Sequence, residues 1–429
     1  MATTYLTRTP SSAGSNTVWT VSMWVKRASL ASGKLNAAGT SSTYEFLFNG
    51  SGGLTLYNGA AEVFTTTRLF RDTSAWYHIV LAYNTTASGT DKCKLYINGT
   101  LESSFSTDNR SSAGAMSNIN QAVVQYIGKT HAGGFFDGLM SHFNSIDGTQ
   151  YAASEFGETD STTGEWKIKT SPSVTYGTNG FFILKDGNSV TDQSGNSNNF
   201  TVGGGTLTNT EDCPDNVFCT INPLDNYWQG STFANGNNTV TTGSNSTTYN
   251  TTSFMMATGK FYAECKVISG AAGNQIGVGS NLTASVSASL GTGGEGFVYK
   301  ENGYYETGGS AVSFGDAYVN GDIIGVALDV TSATPQLYFS KNGVFQGSGN
   351  PSAGTGGKSI TAVASTTIGA YFFGFCDTAT DNTRVHGWNF GNGYFATTAV
   401  ASAGTNASSN GVFEYDVPAN FTALSTKGL

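Results

Sequence analysis

Charged residues are scarce in this 429-residue chain: Asp, Glu, Lys and Arg make up only 11% of it, while aromatic residues make up 12%. Disordered segments have the opposite balance, so we expect this chain to fold. Its 20 basic and 29 acidic residues give a net charge of -9. Proteins that grip DNA or RNA by the phosphates need basic patches. The composition therefore argues against nucleic acid as a partner.

Long apolar runs are also missing. A run such as IIGVALDV (323–330) has the length of a strand, whereas a membrane-spanning helix needs about 18 or more apolar residues. The first residues, MATTYLTRTPSSAGSNTVW, contain no apolar segment typical of a secretory signal. We therefore expect no membrane insertion and no secretory signal.

Cysteine is sparse, with five residues and no C-x-x-C motif. An odd, scattered set of this kind does not form a disulfide framework, and it favours synthesis in a reducing cytoplasm. Cys213 and Cys219 lie close together in the sequence. A disulfide between them stays open, and we expect two reduced thiols instead.

The common catalytic motifs are absent as well. The chain has no E-x-D-x-E run, no H-E-x-x-H and no G-x-S-x-G, so paired carboxylates, a zinc site and a serine nucleophile lack their usual signatures. The nearest acidic groupings, Glu155/Glu158/Asp160 and Glu301/Glu306, lie in polar sequence and are interpreted as surface charge. The sequence thus predicts a protein without enzymatic activity.

Short runs rich in β-branched and aromatic residues dominate what is present, with Gly, Ser, Thr and Asn between them. This pattern predicts strands joined by tight turns. We expect an all-β protein with two antiparallel β-sandwich (jelly-roll) domains and a long turn-rich connecting segment. The predicted boundaries are 1–200 for the first sandwich (core about 1–150), 201–253 for the connecting segment, 254–396 for the second sandwich and 397–429 for a C-terminal tail.

Two Asn-Gly pairs stand at the same place in similar sequence, in KLYINGTLESS (94–104) and in QLYFSKNGVFQGS (336–348). Asn-Gly is typical of a two-residue type I′ hairpin, in which both turn residues need positive φ. Asn98-Gly99 and Asn342-Gly343 are therefore predicted to be turns that shape the fold, one in each sandwich.

The first body resembles a LamG, or concanavalin A-like, jelly roll. The resemblance rests on WTVSMWVKR, RDTSAWYHIVLAYNTT, KLYINGTLESS and FFDGLMSHFNSIDG. Over roughly residues 1–225, the segments YLTRTPSSAG, SIDGTQYAASEFGE, YGTNGFFILKDGNS and DCPDNVFCTINPLD also resemble a type of virion protein found in marine tailed phages. This resemblance implies a β-sandwich and a place in a phage particle.

The second body resembles a SPRY domain. GKFYAECKV, IGVG, GDIIGVALDV, LYFSKNGVFQG and VHGWNFG occur in the order of that family. SPRY domains are binding modules, so the resemblance implies binding rather than catalysis. It does not identify a ligand, because function depends on the site and not on the fold.

Two groups of residues are candidate sites. KENGYYETGG (300–309) places Asn302 and Gly303 in a turn that presents Tyr304 and Tyr305 for stacking on a sugar or peptide. The alternative is that one tyrosine belongs to the core and the other is a cross-strand partner. LamG relatives that bind calcium draw attention to Asp186, Asn188, Asp192 and Asn196, although the same residues suit Asx turns.

The resulting hypothesis is a non-enzymatic phage virion protein: a tail fibre, a tail appendage or a capsid decoration. Its lectin-like modules would adhere to host surface glycan or protein. We expect assembly in the host cytoplasm, contacts with other virion proteins and a homo-oligomer, for which a trimer is the form common among appendages. No cofactor is expected apart from the calcium alternative. A jelly-roll polysaccharide depolymerase and a purely architectural cement remain alternatives.

Overall fold

The structure is a computed structural model that describes residues 3–41, 44–185, 187, 189–226, 230–243, 247–281, 289–379 and 383–429. The chain divides into two compact units: unit 1 comprises residues 1–209 and 213–215, and unit 2 comprises residues 210–212 and 216–429. Within the described ranges, both units consist of sheets that are antiparallel except for one parallel strand pair, and their helices are short 3₁₀ turns. The predicted all-β fold class is confirmed.

Unit 1 contains sixteen strands in the part of the chain that the structure describes. They are β1 (Tyr5–Arg8), β2 (Val18–Arg27), β3 (Gly33–Ala38), β4 (Tyr44–Phe48), β5 (Leu54–Asn58), β6 (Ala61–Thr66), β7 (Trp76–Asn84), β8 (Cys93–Ile97), β9 (Thr100–Leu101), β10 (Phe105–Asp108), β11 (Gln125–Ile127), β12 (Gly138–Asp147), β13 (Gly157–Thr159), β14 (Trp166–Ile168), β15 (Phe181–Ile183) and β16 (Thr201–Gly204). Its 3₁₀ helices span Gly89–Lys92, Arg110–Ser112 and Ala153–Glu155.

Two sheets form the sandwich of unit 1. The eight-stranded sheet has the order β10-β6-β5-β4-β3-β11-β1-β16, and the six-stranded sheet has the order β15-β12-β2-β7-β8-β9. The strand pair β13–β14 lies outside both sheets. In the core between the sheets, Trp19 of β2 stacks on Tyr83 of the neighbouring strand β7, with ring centres 4.9 Å apart. Each fully buried apolar side chain of this size stabilises the fold by about 1.5–3 kcal/mol.

The outer face of the six-stranded sheet is covered by the segment 151–176. Phe156 and Ala153 are buried against Val80 and Ile146 of that sheet, and Trp166 packs beside them. These apolar side chains form a second small core. That face of unit 1 is consequently occupied by the chain itself.

Unit 2 contains seventeen strands within its described ranges. They are β17 (Thr232–Ala234), β18 (Thr239–Thr241), β19 (Thr248–Thr251), β20 (Lys260–Ser269), β21 (Asn274–Gly279), β22 (Gly296–Lys300), β23 (Tyr304–Thr307), β24 (Ser310–Ser313), β25 (Ile323–Asp329), β26 (Gln336–Lys341), β27 (Val344–Phe345), β28 (Lys358–Ser359), β29 (Phe372–Asp377), β30 (Val385–Asn389), β31 (Tyr394–Phe395), β32 (Thr398–Ala399) and β33 (Thr422–Ala423). Its 3₁₀ helices span Pro351–Ala353 and Val363–Ser365.

Unit 2 is also built on two sheets. One follows the order β17-β18-β30-β20-β25-β26-β27, with β28 added beside β26 and β33 beside β20. The other follows the order β19-β29-β21-β22-β23-β24. Trp388 and Phe390 stack in the core with ring centres 5.2 Å apart. Strand β24 forms the end of its sheet, and its side chains are exposed.

The segments expected to connect and to end the domains are parts of the two units. Thr201–Gly204 pairs with β1 of unit 1, whereas β17 and β18 join a sheet of unit 2. Residues 413–421 of the tail cover Tyr262 and Tyr338, and β33 pairs with β20 in parallel. Short polar strands of this kind have no apolar alternation, so their sequence resembles that of a loop.

Both Asn-Gly pairs form two-residue hairpin turns. Asn98 and Gly99 have φ of 47° and 79°, and Asn342 and Gly343 have φ of 48° and 81°. The flanking residues pair directly, Ile97 with Thr100 and Lys341 with Val344. The prediction of type I′-like turns is confirmed. Among the helices that the structure describes, none has the length and apolar character needed to cross a membrane.

Candidate functional site

The predicted ligand hairpin of unit 2 presents one of its two tyrosines. Gly303 has φ of 88° and lies at the turn between β22 and β23, and Asn302 Oδ1 accepts a hydrogen bond of 3.3 Å from the Tyr304 N–H. Tyr304 is 41% exposed, whereas Tyr305 is only 7% exposed. Successive residues of a strand point to opposite faces, so only Tyr304 is displayed for a ligand.

Tyr305 belongs to an aromatic cluster that the sequence did not reveal. Its ring centre lies 6.0 Å from that of Phe314, and Lys358 Nζ lies 5.2 Å from the Tyr305 ring centre and 5.0 Å from that of Phe314. Phe314 and Lys358 are both partly exposed. Tyr305 thus packs into the core together with Phe314 and Lys358, on the face of β23 opposite to the exposed Tyr304.

Unit 1 carries a more exposed group of rings around a lysine, here called the Lys129 site: Tyr5, Tyr126, Lys129 and Phe135. Lys129 Nζ lies 4.0 Å from the Tyr5 ring centre, 5.4 Å from that of Tyr126 and 5.6 Å from that of Phe135. All four residues are partly exposed. An ammonium held over aromatic faces is stabilised by about 0.5–1 kcal/mol at such exposed positions.

Strand register and a closed loop position the Lys129 site. Tyr126 of β11 faces Thr7 of β1, two residues from Tyr5. The loop 128–136 is closed by paired backbone hydrogen bonds between Thr130 and Gly133, of 2.8 and 3.2 Å. Tyr5 lies directly on β16, where a Cβ added to Gly203 would be 2.3 Å from the ring. Glycine is needed at position 203, because a side chain there would collide with the Tyr5 ring.

The segment proposed for calcium uses its described polar groups within the fold. Asp192 Oδ1 accepts from the N–H groups of Phe182 (2.8 Å) and Ser194 (2.9 Å), and its Oδ2 accepts from Ser194 Oγ and the Asn198 N–H, both at 2.8 Å. Asn196 Nδ2 donates to the carbonyl oxygen of Gly177 at 2.6 Å. The bond from the Ser194 N–H to Asp192 Oδ1 is that of an Asx turn, and the bonds with Phe182 and Gly177 join this segment to neighbouring parts of unit 1.

The other two residues proposed for calcium, Asp186 and Asn188, lie outside the described residues. Within the described ranges, no group of three or more His, Cys, Asp or Glu side chains is arranged to hold a metal ion.

A serine and a histidine lie in contact in unit 1 without forming a hydrolytic pair. Ser22 Oγ is 2.9 Å from His78 Nε2, and Trp166 Nε1 donates to His78 Nδ1 at 2.9 Å. Because an indole N–H can only donate, Nδ1 must accept and the ring proton must lie on Nε2, which donates to Ser22. His78 is fully buried, and burial lowers its pKa to about 3. This tautomer leaves no basic nitrogen facing the serine.

Of the acidic groupings noted in the sequence, Asp160 and Glu306 pair with lysines. Glu306 is buried, so its interpretation as surface charge is wrong. Asp160 Oδ2 lies 2.9 Å from Lys167 Nζ, and hydrogen bonds from Lys167 and from two backbone N–H groups lower the pKa of Asp160. Glu306 Oε2 lies 2.6 Å from Lys300 Nζ. A general acid in glycoside hydrolysis needs a raised pKa, so Asp160 does not suit that role.

Burial raises the pKa of four described carboxyl groups, those of Asp137, Asp215, Asp225 and Glu264. The shift is large only for Glu264, and that group holds the tail in place. Glu264 is fully buried, and burial raises its pKa to about 7. Its Oε2 and Oε1 accept hydrogen bonds of 2.9 Å from the N–H groups of Glu414 and Tyr415, and Asn389 Nδ2 lies 3.3 Å away. A carboxyl group enclosed in this way has no access to a polysaccharide.

A cavity of about 20 Å³ lies in unit 1, between Arg8, Asn36, Asn179 and neighbouring apolar side chains. A single water molecule needs about 10–15 Å³ on the same scale. The cavity therefore has room for water but not for a sugar ring.

Solved structures with partial similarity include two SPRY domains and a pentraxin. The SPRY domain of human HERC1 is 17% identical, with a TM-score of 0.30, over 39% of this chain and 96% of that chain. A human SPRY domain is 17% identical, with a TM-score of 0.26, over 35% and 91%. A heptameric SAP-like pentraxin from Limulus polyphemus is 15% identical, with a TM-score of 0.27, over 35% and 72%.

No curated protein matches the chain. Residues 2–149 match a family model described as the concanavalin A-like lectin/glucanases superfamily. The N-terminal part of unit 1 is thus similar to concanavalin A-like domains, in agreement with the LamG resemblance of its motifs.

Proposed function

We propose that this chain is a non-enzymatic adhesion protein of a phage virion, in which two β-sandwich units present aromatic surfaces to glycan or protein on the host cell. The observation that carries the proposal is the Lys129 site: three partly exposed rings around an ammonium group. Aromatic rings bind the apolar faces of sugars, and a few polar groups fix the orientation. The match of residues 2–149 to the lectin and glucanase superfamily supports this reading.

Adhesion through such sites gains strength from copy number. A shallow surface with three rings buries little area, so a single contact is weak. Many copies on one particle convert weak contacts into avidity, because each further contact is intramolecular. A homo-oligomeric appendage, bound to other virion proteins, fits this requirement.

The virion assignment is supported by the phage-like segments of the sequence, such as YLTRTPSSAG and YGTNGFFILKDGNS. Cryo-EM of the particle with an antibody to the chain tests it. Density at the tail tip or fibre supports attachment, and density on the capsid lattice supports decoration. Particles that lack the chain would contradict the virion role.

The adhesive role is tested with the purified full chain coupled to beads in many copies and applied to a glycan array. We expect retention on a subset of glycans, and loss of retention in the double variant Tyr126→Ala/Phe135→Ala. Val344→Ala is the matched control, because Val344 is exposed but lies far along the chain in unit 2. Equal retention of the double variant and the Val344→Ala control would show that the Lys129 site does not contribute to binding.

A polysaccharide depolymerase is the alternative function, because the superfamily description includes glucanases. Release of reducing ends from host polysaccharide by the full chain, abolished by exchange of one carboxylate, would establish it. An architectural cement would show neither retention nor release.

A further inference from the structure

Among the residues that the structure describes, none gives the ammonium group of the Lys129 site an anionic partner. In the part of the chain that the structure describes, seven other lysines lie within 4.0 Å of a carboxylate oxygen, whereas Lys129 forms no such pair. Lys34, which lies beside Gly134 of the same loop, pairs with Glu45 at 2.6 Å. In a chain of net charge -9, an ammonium placed on three rings and left unpaired is available to an external anion.

The rings fix this ammonium before any ligand arrives. Lys129 Nζ lies over Tyr5 at 4.0 Å, and Tyr5 itself is seated on Gly203 and Gly204 of β16. Binding a flexible side chain costs about 0.5–1.5 kcal/mol of conformational freedom. Much of that cost is already met in the folded protein.

Two phenol hydroxyl groups complete the polar part of the site. Neither Tyr5 nor Tyr126 makes a hydrogen bond through its hydroxyl with any described residue. A phenol can donate and accept one bond each. The site therefore offers a positive charge, two hydroxyl groups and three flat rings within one small area.

From this combination we infer that the Lys129 site binds an acidic saccharide, with the anionic group of the sugar on Lys129 and a face of its ring on Tyr5, Tyr126 or Phe135. The inference rests on the proposed adhesive function and names its ligand class. A neutral sugar would leave the ammonium unpaired. An acidic peptide would pair with the ammonium but lacks the rigid ring faces that match three aromatic side chains.

The test uses the full chain and isothermal titration with four probes: galacturonate oligomers, sulfated dextran oligomers, neutral dextran oligomers and oligoglutamate. We compare the native chain with Lys129→Met, which keeps the aliphatic stem, and Lys129→Arg, which keeps the charge. Lys266→Met is the matched control, because Lys266 Nζ lies 5.8 Å from the ring centre of Phe395 in unit 2. Thermal unfolding of each variant verifies that the fold is retained.

An acidic oligosaccharide should bind the native chain, and Lys129→Met should raise its Kd about tenfold or more, the size expected for a charge-assisted hydrogen bond. Lys129→Arg and Lys266→Met should bind within about twofold of the native chain. Higher salt should weaken binding of the native chain but not the residual binding of Lys129→Met. Whether the galacturonate or the sulfated probe binds identifies the anion.

Three results would overturn the inference: equal affinity for neutral and acidic oligomers, an unchanged Kd in Lys129→Met, or a preference for oligoglutamate. Retention on a neutral glycan in the array, with no effect of Lys129→Met, would leave the adhesive function standing without the acidic ligand. Absence of binding to every saccharide, in the titration and in multivalent form, would contradict both.

Discussion

Asn98 and His78 are joined by two hydrogen bonds at the end of the β7–β8 pairing in unit 1, next to the Asn-Gly turn. Asn98 Oδ1 accepts a hydrogen bond of 2.8 Å from the backbone N–H of His78. The backbone N–H of Asn98 donates to the carbonyl oxygen of His78 at 2.9 Å. Asn342 and Ile323 of unit 2 are joined in the same way, at 2.9 and 2.8 Å. The asparagine of each Asn-Gly turn thus does more than tolerate a positive φ: it ties its hairpin to the preceding strand.

Replacing Asn98 by Ala should destabilise unit 1 by about 2 kcal/mol, because alanine disfavours a positive φ and leaves the His78 N–H without its acceptor. Asn98→Gly keeps the backbone conformation and removes only the side chain, so its effect should be smaller. Hydrogen exchange of peptides from β7 and β8 measures both. Equal exchange in Asn98→Ala and the native chain would show that the turn is not held in this way.

Unit 1 should lose stability as the pH falls below about 6.5. Burial keeps His78 neutral in the fold, with a pKa of about 3, whereas an unfolded histidine has a pKa of about 6.5. Between these values the unfolded state binds more protons, so the free energy of unfolding falls by about 1.4 kcal/mol per pH unit. Above pH 6.5 this contribution is fully present.

Denaturant unfolding of unit 1, followed by hydrogen exchange at pH 7.0, 6.0 and 5.0, measures this slope. His78→Gln cannot take up the proton and should show a flatter dependence, although it is less stable at pH 7. A slope identical to that of the native chain would mean that His78 does not titrate in this way.

Glu264→Gln should loosen the tail of unit 2. One oxygen of the carboxyl group becomes an NH₂ group, so the N–H of Glu414 or Tyr415 loses its acceptor, at a cost of about 1–3 kcal/mol. Limited proteolysis should then cut within 404–417 faster than in the native chain. An unchanged cleavage rate would show that the tail is held by its apolar contacts alone.

The titration of Glu264 changes the stability of unit 2 with pH in the direction opposite to that of His78 in unit 1. The pKa of Glu264 is raised by burial to about 7 from an ordinary value of 4.5. Between these pH values the folded state therefore binds more protons than the unfolded state. The contribution of Glu264 to the free energy of unfolding of unit 2 is fully present below pH 4.5 and is lost as the pH rises through about 7. His386, whose pKa burial lowers to about 3, acts in the other direction. Removing Glu264 should leave a net loss of stability on acidification below pH 6.5.

The two tyrosines of the unit 2 hairpin should separate binding from stability. Tyr305→Ala removes a buried ring and should cost about 3 kcal/mol, whereas Tyr304→Ala changes an exposed side chain and should stay within about 0.5 kcal/mol of the native chain. Calorimetric unfolding gives the two values. Any ligand contact of this hairpin should be weakened by Tyr304→Ala alone, and a large loss of stability in that variant would contradict the assigned orientation.

Local sequence signals predicted the features that depend on a few neighbouring residues. The all-β class follows from short β-branched runs, and the turns at Asn98-Gly99 and Asn342-Gly343 follow from the backbone preference of Asn-Gly. The Asn302 turn was predicted on the same basis. The orientation of Tyr304 and Tyr305 stayed open in the sequence, since strand alternation assigns opposite faces but does not say which face is buried.

The Lys129 site could not be predicted, because it depends on distant contacts. Tyr5, Tyr126 and Lys129 meet only through the pairing of β1 with β11, and Lys358 meets Phe314 only through the packing of unit 2. A lysine and an aromatic residue far apart in sequence leave no joint pattern. The cover formed by residues 151–176 and the docking of the tail are hidden for the same reason.

The most direct test of the account measures retention and cleavage in one sample. The full chain, coupled to beads at high density, is mixed with surface polysaccharide from candidate host cells, and bound polysaccharide and newly formed reducing ends are both determined. We predict retention on the beads, lost in Tyr126→Ala/Phe135→Ala, with reducing ends at the level of empty beads. Reducing ends that increase with time, or no retention at any bead density, would contradict the proposal that this protein is a non-enzymatic adhesin.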